Sequence, residues 1–275
     1  MEKTDSAYIE LLKKVLIDYH HVNSTEYRPL YPVPGIQIRF FKLLDKILRT
    51  FNYAVCNVYV NSEEAMMNGT GRPVYADTMV GMKRLNNVEY CIREAIKNNV
   101  EGDVIELGVW RGGTVILMRA LLKELNSTDR IVWVADSFNG LPPPNPDKYP
   151  ADKGDKFSKY GELAIPEKDV IHNFEKYGLL DDQVKFLKGW FKDTLPVAPI
   201  KKLALLRLDG DMYESTMDGL VNLYPKLSIG GYIIIDDWGA VPSCKKAVED
   251  YRKEHQITDE IIPIDWTGVY WKKTK

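Results

Sequence analysis

Cysteine and histidine are scarce in this chain of 275 residues, which contains three cysteines and four histidines. Cys56, Cys91 and Cys244 are far apart and form no Cys-x-x-Cys pair. Because a disulfide framework or a cysteine zinc site needs paired cysteines, we expect reduced thiols in a cytoplasmic protein. The small number of histidines also disfavours a metal site built from histidine ligands.

The chain also lacks a long hydrophobic run and a strong excess of charge. No stretch approaches the roughly 20 apolar residues of a membrane span, and the N-terminus has no signal-peptide hydrophobic core. A formal charge of −2 provides no basic surface for nucleic acid or for an anionic membrane. The 45% of hydrophobic and 28% of charged residues are typical of a soluble globular protein.

The first hundred residues are predicted to form a helical extension of a larger core. Helical periodicity predicts helices at 5–19, 40–51 and 78–97. A short helix followed by a loop is predicted at 61–76. Prolines between residues 29 and 34 interrupt the series. No low-complexity linker follows, so we expect residues 1–100 to pack on the core of 101–275.

After residue 101, short apolar segments alternate with helical ones. Strands are predicted at 103–107, 130–135, 184–187, 203–208 and 232–235, with two short candidates at 260–264 and 268–271. Helices are predicted at 114–125, 167–177, 215–227 and 244–255. This order predicts an α/β fold with a doubly wound, mainly parallel sheet and an antiparallel edge. The segment 140–166, which contains six prolines, is predicted to be a lid over the site.

The stretch 101–113 is predicted to form a strand, a glycine turn and the start of a helix. Its strand is interrupted by Glu106 and ends at Gly108, and the turn has neither the dinucleotide fingerprint nor the P-loop spacing. A pyrophosphate ligand is therefore disfavoured. Asp136 ends the next predicted strand, where an acid could bind a ribose diol or could only cap a turn. Together these features suggest S-adenosylmethionine as the ligand.

Three aspartates are expected to meet at the edge of the sheet. Asp209 follows one predicted strand, and Asp236 and Asp237 follow the next. Such carboxylates repel one another unless a cation lies between them, and all-oxygen ligands favour Mg²⁺ or Ca²⁺. The alternative is that the aspartates form ion pairs with Arg207 or Lys245, which are near in the sequence. Asp211 could be a fourth ligand or a general base.

Several motifs in order carry a resemblance to a known family. They are Thr78-Met79-Val80-Gly81 with Arg84-Leu85, Glu106-Leu107-Gly108-Val109-Trp110-Arg111-Gly112-Gly113, Asp136-Ser137-Phe138, Gly189-Trp190-Phe191, Asp209-Gly210-Asp211-Met212 and Asp236-Asp237-Trp238. From about Thr78 to its end, the chain resembles the macrocin O-methyltransferases, metal-dependent enzymes that methylate sugar hydroxyls of macrolides and aminocoumarins. The first 77 residues match only weakly.

The resemblance implies a class I methyltransferase fold, with S-adenosylmethionine and Mg²⁺ as cofactors. The implied cofactor-binding residues are Thr78, Met79, Glu106, Gly108, Asp136, Ser137, Gly189, Trp190 and Asp209. The implied metal ligands are Asp209, Asp236 and Asp237, and the implied base is Asp211. The related catechol methyltransferases carry a lysine where this chain has Met212, which favours an alcohol or sugar acceptor. In such families the N-terminal region shapes the acceptor site and the dimer, so we expect a homodimer or a higher homo-oligomer.

Other interpretations remain open from the sequence. Trp190 could offer a flat face to an adenine or could belong to the core. The enzyme could methylate a small phenol or an amine, or the chain could be an inactive nucleoside-binding protein of the same fold. The aspartate cluster argues against the last of these, because a binder needs only the ribose acid.

Overall fold

The alternating segments after residue 101 form one sheet of seven strands in the computed structural model, which describes residues 6–29, 36–71 and 74–275. In chain order, the helices and strands are α1 (Ala7–Leu16), β1 (Thr25–Pro29), α2 (Ile36–Leu48), β2 (Cys56–Val60), α3 (Glu63–Asn68), α4 (Met82–Lys97), β3 (Asp103–Leu107), α5 (Gly113–Glu124), β4 (Val132–Asp136), α6 (Glu167–Lys176), β5 (Val184–Lys188), α7 (Phe191–Thr194), β6 (Leu203–Leu208), α8 (Tyr213–Leu223), β7 (Leu227–Ile235), α9 (Pro242–Glu254), β8 (Ile262–Pro263) and β9 (Val269–Lys272).

The seven-stranded sheet has the order β5-β4-β3-β6-β7-β9-β8. Strands β3 to β7 pair in parallel, β9 is antiparallel to β7, and β8 is antiparallel to β9. The predicted doubly wound, mainly parallel sheet with an antiparallel edge is therefore confirmed. The direction of winding reverses between β3 and β6, which is where open α/β sheets bind their ligands.

Successive side chains of each strand point to opposite faces of the sheet, so they form two hydrophobic cores, one on each face. Val104 of β3 belongs to the core under α4 and α5, whereas its neighbour Ile105 belongs to the core under α8 and α9. Strand β6 is buried along its whole length, as a central parallel strand should be. Because helices cover both faces of the sheet, a ligand can reach it at the ends of the strands.

The helical part of the N-terminal extension contributes to the same core as the sheet. Ile9, Leu12 and Leu16 of α1 are buried in the cluster that also contains α4 and α5. The prediction for 78–97 was wrong at its start, because Gly81 is extended and α4 begins at Met82. The prolines expected to interrupt the chain at 32 and 34 lie outside the described residues.

The first strands, β1 and β2, form a two-stranded antiparallel sheet that the sequence pattern does not predict. Tyr27 pairs with Val58 across a long stretch of intervening chain, so no short turn marks the two segments as partners. The strand predicted at 232–235 also begins earlier than expected, because β7 starts at Leu227 and includes Gly230 and Gly231. The register between β6 and β7 shifts at this end of the strand pair.

The described helices can also be compared with what a membrane crossing requires. Within residues 6–29, 36–71 and 74–275, no helix is both long enough and apolar enough to span a bilayer.

Candidate active site

A cavity of about 770 Å³, partly open to solvent, lies at the carboxyl ends of the central parallel strands. Its lining residues are Met79, Gly108, Trp110, Asp136, Ser137, Gly140, Leu141, Pro142, Leu163, Gly189, Trp190, Phe191, Lys192, Asp209, Gly210, Asp211, Glu214, Ser215 and Asp218. The location is the one that the reversal of winding predicts.

Most of the residues singled out from the sequence line this cavity. Those that do are Met79, Gly108, Asp136, Ser137, Gly189, Trp190, Asp209 and Asp211. Thr78, Glu106, Asp236 and Asp237 are buried and do not line it. The Thr78 hydroxyl is 3.3 Å from that of Thr114, so it joins the segment before α4 to α5.

Gly108 allows the ends of β3 and β6 to pack closely. It has a φ of +86°, and a Cβ at this position would be 1.8 Å from the carbonyl oxygen of Asp209. The backbone N–H of Asp209 donates to the carbonyl of Leu107 at 2.9 Å. The glycine predicted to approach a ligand therefore also approaches the neighbouring strand, and this contact fixes where Asp209 leaves the sheet.

Asp136 binds the backbone of the two turns that flank it. Its Oδ2 accepts from the N–H of Val109 at 2.8 Å, and its Oδ1 accepts from the N–H of Phe138 at 2.7 Å. Burial raises the pKa of this carboxyl group, and these amide donors oppose the rise. The turn-capping role left open by the sequence is present in these contacts, and the ribose-binding role stays a prediction.

The three aspartates of the predicted metal site lie together. Asp209, Asp236 and Asp237 each offer one carboxylate oxygen, and these three oxygens lie within 4.8 Å of one another. Burial, and then the charge of Asp236, raises the pKa of Asp209 to about 6. Burial, followed by the charges of Asp211 and Asp209, raises the pKa of Asp237 well above its usual range. Keeping these buried carboxylates ionised therefore costs free energy, and a bound cation would offset that cost.

Buried arginines are also present, as the alternative interpretation required. The fully buried guanidinium of Arg207 donates to Glu106, to Asp209 at 2.8 Å and to Asp236. Arg84 of α4 donates to the other oxygen of Asp236. The cluster therefore combines ion pairs with a spacing of carboxylates that suits a metal.

Glu106 belongs to this ion-pair network beneath the cavity, and not to the cavity wall. It is 1% exposed, and its neighbour across the sheet is Arg207. Burial raises the pKa of Glu106 to about 8, although the guanidinium of Arg207 opposes the rise. Its Oε2 finds no hydrogen-bond partner among the described residues. The expectation of direct cofactor contact thus receives no support from its position.

Asp211 lies in a turn directly after β6 and lines the cavity. Its backbone is left-handed, with a φ of +56°, and its N–H donates to Oδ2 of Asp237 at 3.1 Å. Left-handed backbone is costly for a non-glycine residue and is often found at functional sites. The turn holds the Asp211 side chain beside the aspartate cluster.

Sequence reasoning missed the residues of α8 that line the cavity. Glu214 and Asp218 lie four residues apart, which places them on one face of the helix, beside Ser215. Burial, and then the charge of Glu214, raises the pKa of Asp218 to about 6. The four-residue spacing of acids directly after the Asp209 motif was the available signal.

The segment 140–166 forms part of the cavity wall and is anchored at two places. Asp152, which is 1% exposed, accepts from the N–H groups of Tyr213 and Glu214 at 2.7 and 3.1 Å. The Trp110 indole donates to the carbonyl of Glu162 at 2.9 Å. These contacts tie the segment to the N-terminus of α8 and to the glycine turn. Whether it moves as a lid stays a prediction.

The chain matches the model of the family described as Macrocin-O-methyltransferase (TylF) over residues 5–273. It is 53% identical over 214 residues to the demethyldecarbamoylnovobiocin O-methyltransferase of Streptomyces niveus, covering 78% of this chain and 82% of that one. It is 51% identical over 253 residues to the mycinamicin III 3''-O-methyltransferase of Micromonospora griseorubida, covering 88% and 99%. The structure of the O-methyltransferase NovP is similar, with a TM-score of 0.84 and 44% identity, covering 98% of this chain and 99% of that one.

The contact between Gly108 and β6 leads to a testable prediction. Gly108→Ala should lower the free energy of unfolding by more than about 2 kcal/mol, because left-handed backbone is costly for alanine and the new methyl group would overlap the Asp209 carbonyl. Gly161→Ala is the matched control, since nothing lies within 4 Å of its Cβ position, and its effect should stay within about 1 kcal/mol. Urea denaturation of both variants measures the difference, and equal stabilities would contradict the packing role.

Proposed function

The chain belongs to the macrocin-O-methyltransferase family and is a methyltransferase, and on this premise we propose that it methylates a sugar hydroxyl with S-adenosylmethionine and Mg²⁺. The motif resemblance is thereby confirmed, and the match extends into the N-terminal region, where the motifs indicated only weak similarity. The observation that carries the proposal is the cluster of Asp209, Asp236 and Asp237 beside a cavity lined by Asp211.

The cofactor half of the cavity suits S-adenosylmethionine, which supplies the methyl group from a sulfonium centre. Asp136 lines this half of the cavity at the end of β4, where a carboxylate is placed to accept hydrogen bonds from the hydroxyls of a ribose. Met79 and Trp190 border the same cavity and provide apolar surface for a base. Gly108 and Ser137 lie beside Asp136 and complete this wall.

The metal proposal is supported by the chemistry of the donors. Three carboxylates are hard oxygen ligands of the kind that Mg²⁺ binds. Each oxygen of Asp236 contacts one guanidinium and keeps a further acceptor direction, so the ion pairs do not prevent coordination. When bound, Mg²⁺ would act as a Lewis acid that lowers the pKa of the acceptor hydroxyl.

We assign the role of general base to Asp211. Its side chain lines the cavity next to the proposed metal ligands, and its backbone is fixed by the bond to Asp237. From there its carboxylate can accept a proton from a hydroxyl group held near Asp209. Met212, at the position of the catechol enzymes' lysine, is fully buried and offers no base to the cavity.

The acceptor is proposed to be a glycosylated small molecule. The relatives are named as O-methyltransferases of demethyldecarbamoylnovobiocin and of mycinamicin III, which favours a hydroxyl over an amine. Glu214, Asp218 and Lys192 give the cavity polar groups that could bind sugar hydroxyls. The segment 140–166 adds the apolar side chains of Leu141 and Pro142, which would contact the aglycone and exclude water as a lid.

We also propose that a second copy of the chain covers the N-terminal sheet. One face of this sheet exposes Tyr27, Val58 and Val60, at 70%, 63% and 59%. Among the described residues, β1 and β2 pair only with each other, and an isolated strand pair is only marginally stable in water. Helix α2 exposes Leu43 and Ile47 nearby in the chain, and a large apolar surface of this kind marks an interaction site.

The proposed function is tested by methyl transfer from S-adenosylmethionine to demethyldecarbamoylnovobiocin, to mycinamicin III and to a simple catechol, with and without EDTA. We expect turnover of a glycosylated acceptor that EDTA abolishes and Mg²⁺ restores. Asp209→Ala should lose the Mg²⁺-dependent turnover. Asp211→Asn should lower turnover roughly 10²- to 10⁴-fold but still bind Mg²⁺ in calorimetry, because it loses only a base.

Two results would contradict parts of this proposal. Full activity of the metal-free enzyme would remove the role of Mg²⁺. Turnover of the catechol without turnover of any glycoside would favour a phenol as acceptor.

The raised pKa of Asp209, about 6, predicts that Mg²⁺ binding depends on pH. Below this value the metal must displace a proton from the carboxyl group, whereas above it the carboxylate is already ionised. The affinity for Mg²⁺ should therefore be at least roughly tenfold weaker at pH 5 than above pH 7, because the raised pKa of Asp237 adds to the same pH dependence. Calorimetry in two buffers of different ionisation enthalpy should detect proton release at the lower pH, and an affinity that does not change with pH would speak against Asp209 as a ligand.

The oligomer proposal predicts that Val58→Lys, which places a charge on the exposed face of the N-terminal sheet, converts a dimer or higher oligomer to a monomer. Val197→Lys is the control, because Val197 is 80% exposed and lies outside this sheet. Light scattering after size exclusion gives the masses. A monomeric wild-type protein, or a Val58→Lys variant of unchanged mass, would refute the proposed interface.

A further inference from the structure

Arg84 lies on α4, outside the cavity, yet its side chain reaches the aspartate cluster. We propose that Arg84 is a positioning residue that holds the carboxylate of Asp236 in the orientation needed to bind a divalent cation. The inference rests on the proposed function, since it concerns how that function's metal ligand is oriented.

The guanidinium of Arg84 is held at two points. Its Nη1 donates to Oδ2 of Asp236, and its Nε donates to Oδ2 of Asp265 at 2.9 Å. Asp265 is itself fixed, because its Oδ1 accepts from the N–H groups of Thr267 and Gly268 at 3.0 and 2.8 Å. Arg84 therefore connects Asp236 to the backbone of the turn that precedes β9.

The surrounding backbone leaves just enough room for this side chain. A Cβ on Gly69 would be 2.4 Å from Nη2 of Arg84, and a Cβ on Gly268 would be 3.0 Å from its Cδ. Arg84 is 5% exposed, so water is largely excluded from these contacts. A long side chain enclosed in this way has few alternative rotamers, and its donors keep their direction.

Asp236 is restrained from both sides. Its Oδ1 accepts from Arg207 and its Oδ2 from Arg84, so two guanidiniums define the plane of the carboxylate. Its backbone N–H donates to Leu208 at 2.9 Å, and its carbonyl accepts from the Thr267 hydroxyl at 2.9 Å. Neither the main chain nor the side chain of this residue can turn without breaking a buried bond.

Charge balance separates an orienting role from simple neutralisation. Arg84 is paired with Asp265, whose side chain is fully buried, so the two residues together bring no net charge to the cluster. Arg207 forms ion pairs with Glu106, Asp209 and Asp236, whereas Arg84 forms an ion pair with Asp236 alone of these three. What the Arg84–Asp265 pair adds is a fixed direction for Oδ2 of Asp236.

The test compares Arg84→Met, Arg84→Lys and the control Arg93→Met by calorimetry with MgCl₂ alone and, separately, with S-adenosylhomocysteine. Groups that orient metal ligands typically change metal affinity roughly 10- to 100-fold when lost, so both Arg84 variants should weaken Mg²⁺ binding within this range. The affinity for S-adenosylhomocysteine should not change. Arg93 lies on the same helix but contacts Glu89 and Glu124, so its variant should bind Mg²⁺ like the wild type.

The two Arg84 variants also distinguish orientation from charge. A role as a mere counter-charge predicts tighter Mg²⁺ binding in Arg84→Met, which removes a positive charge, and unchanged binding in Arg84→Lys, which keeps it. Either result would overturn the inference, and Arg84→Lys alone decides it if Arg84→Met does not fold. In assays, the Mg²⁺ concentration for half-maximal turnover should rise while kcat at saturating Mg²⁺ is largely kept.

The wild-type measurement separates this inference from the proposed function. If the wild type does not bind Mg²⁺, the metal part of the proposed function fails and the inference falls with it. If the wild type binds Mg²⁺ and both Arg84 variants bind it equally well, only the inference fails.

Discussion

The buried guanidinium of Arg207 links carboxylates from three neighbouring strands, and the geometry of the site depends on it. It joins Glu106 of β3 to Asp209 and Asp236, which follow β6 and β7. A charge inside a protein is tolerated only when it is paired, and the loss of one partner costs about 3–5 kcal/mol. The strand ends therefore cannot slide past one another without exposing an unpaired charge. The place where the chemistry would occur is fixed by the core of the fold.

This network leaves an excess of negative charge on the side that faces the cavity. Arg207 offsets part of the charge of its partners, but Asp237 is bonded to the backbone of Asp211 and lies near two further acids. The raised pKa values of Asp209 and Asp237 have this common origin in burial and repulsion. A bound divalent cation would relieve the same repulsion. The repulsion between these preformed ligands destabilises the metal-free protein, and a bound metal would recover that free energy.

The sequence predicts those features of the fold that depend on local pattern and chain order. β6 and β3 lie at their predicted bounds, and Asp209 and Asp236 follow neighbouring strands as expected. Contacts between distant segments could not be predicted in this way. The pairing of β1 with β2 has no turn to mark it, and the bond from Arg84 to Asp236 joins residues 152 positions apart. The alternation of residues along β3 also does not distinguish an ion pair between Glu106 and an arginine from a contact between Glu106 and a ligand.

The acceptor side of the cavity depends on a different kind of contact. Asp152 binds the first N–H groups of α8 and so holds the middle of the segment 140–166 against the helix that carries Glu214 and Asp218. Any movement of this segment must leave that anchor in place or break two buried bonds to a carboxylate. A loop that is anchored at a few points can vary between those points and change its contacts with an acceptor, while the strand ends keep the reacting groups in place. In this fold, the groups proposed to transfer the methyl lie on the ends of buried strands, and those proposed to select its acceptor lie on α8 and the segment anchored to it.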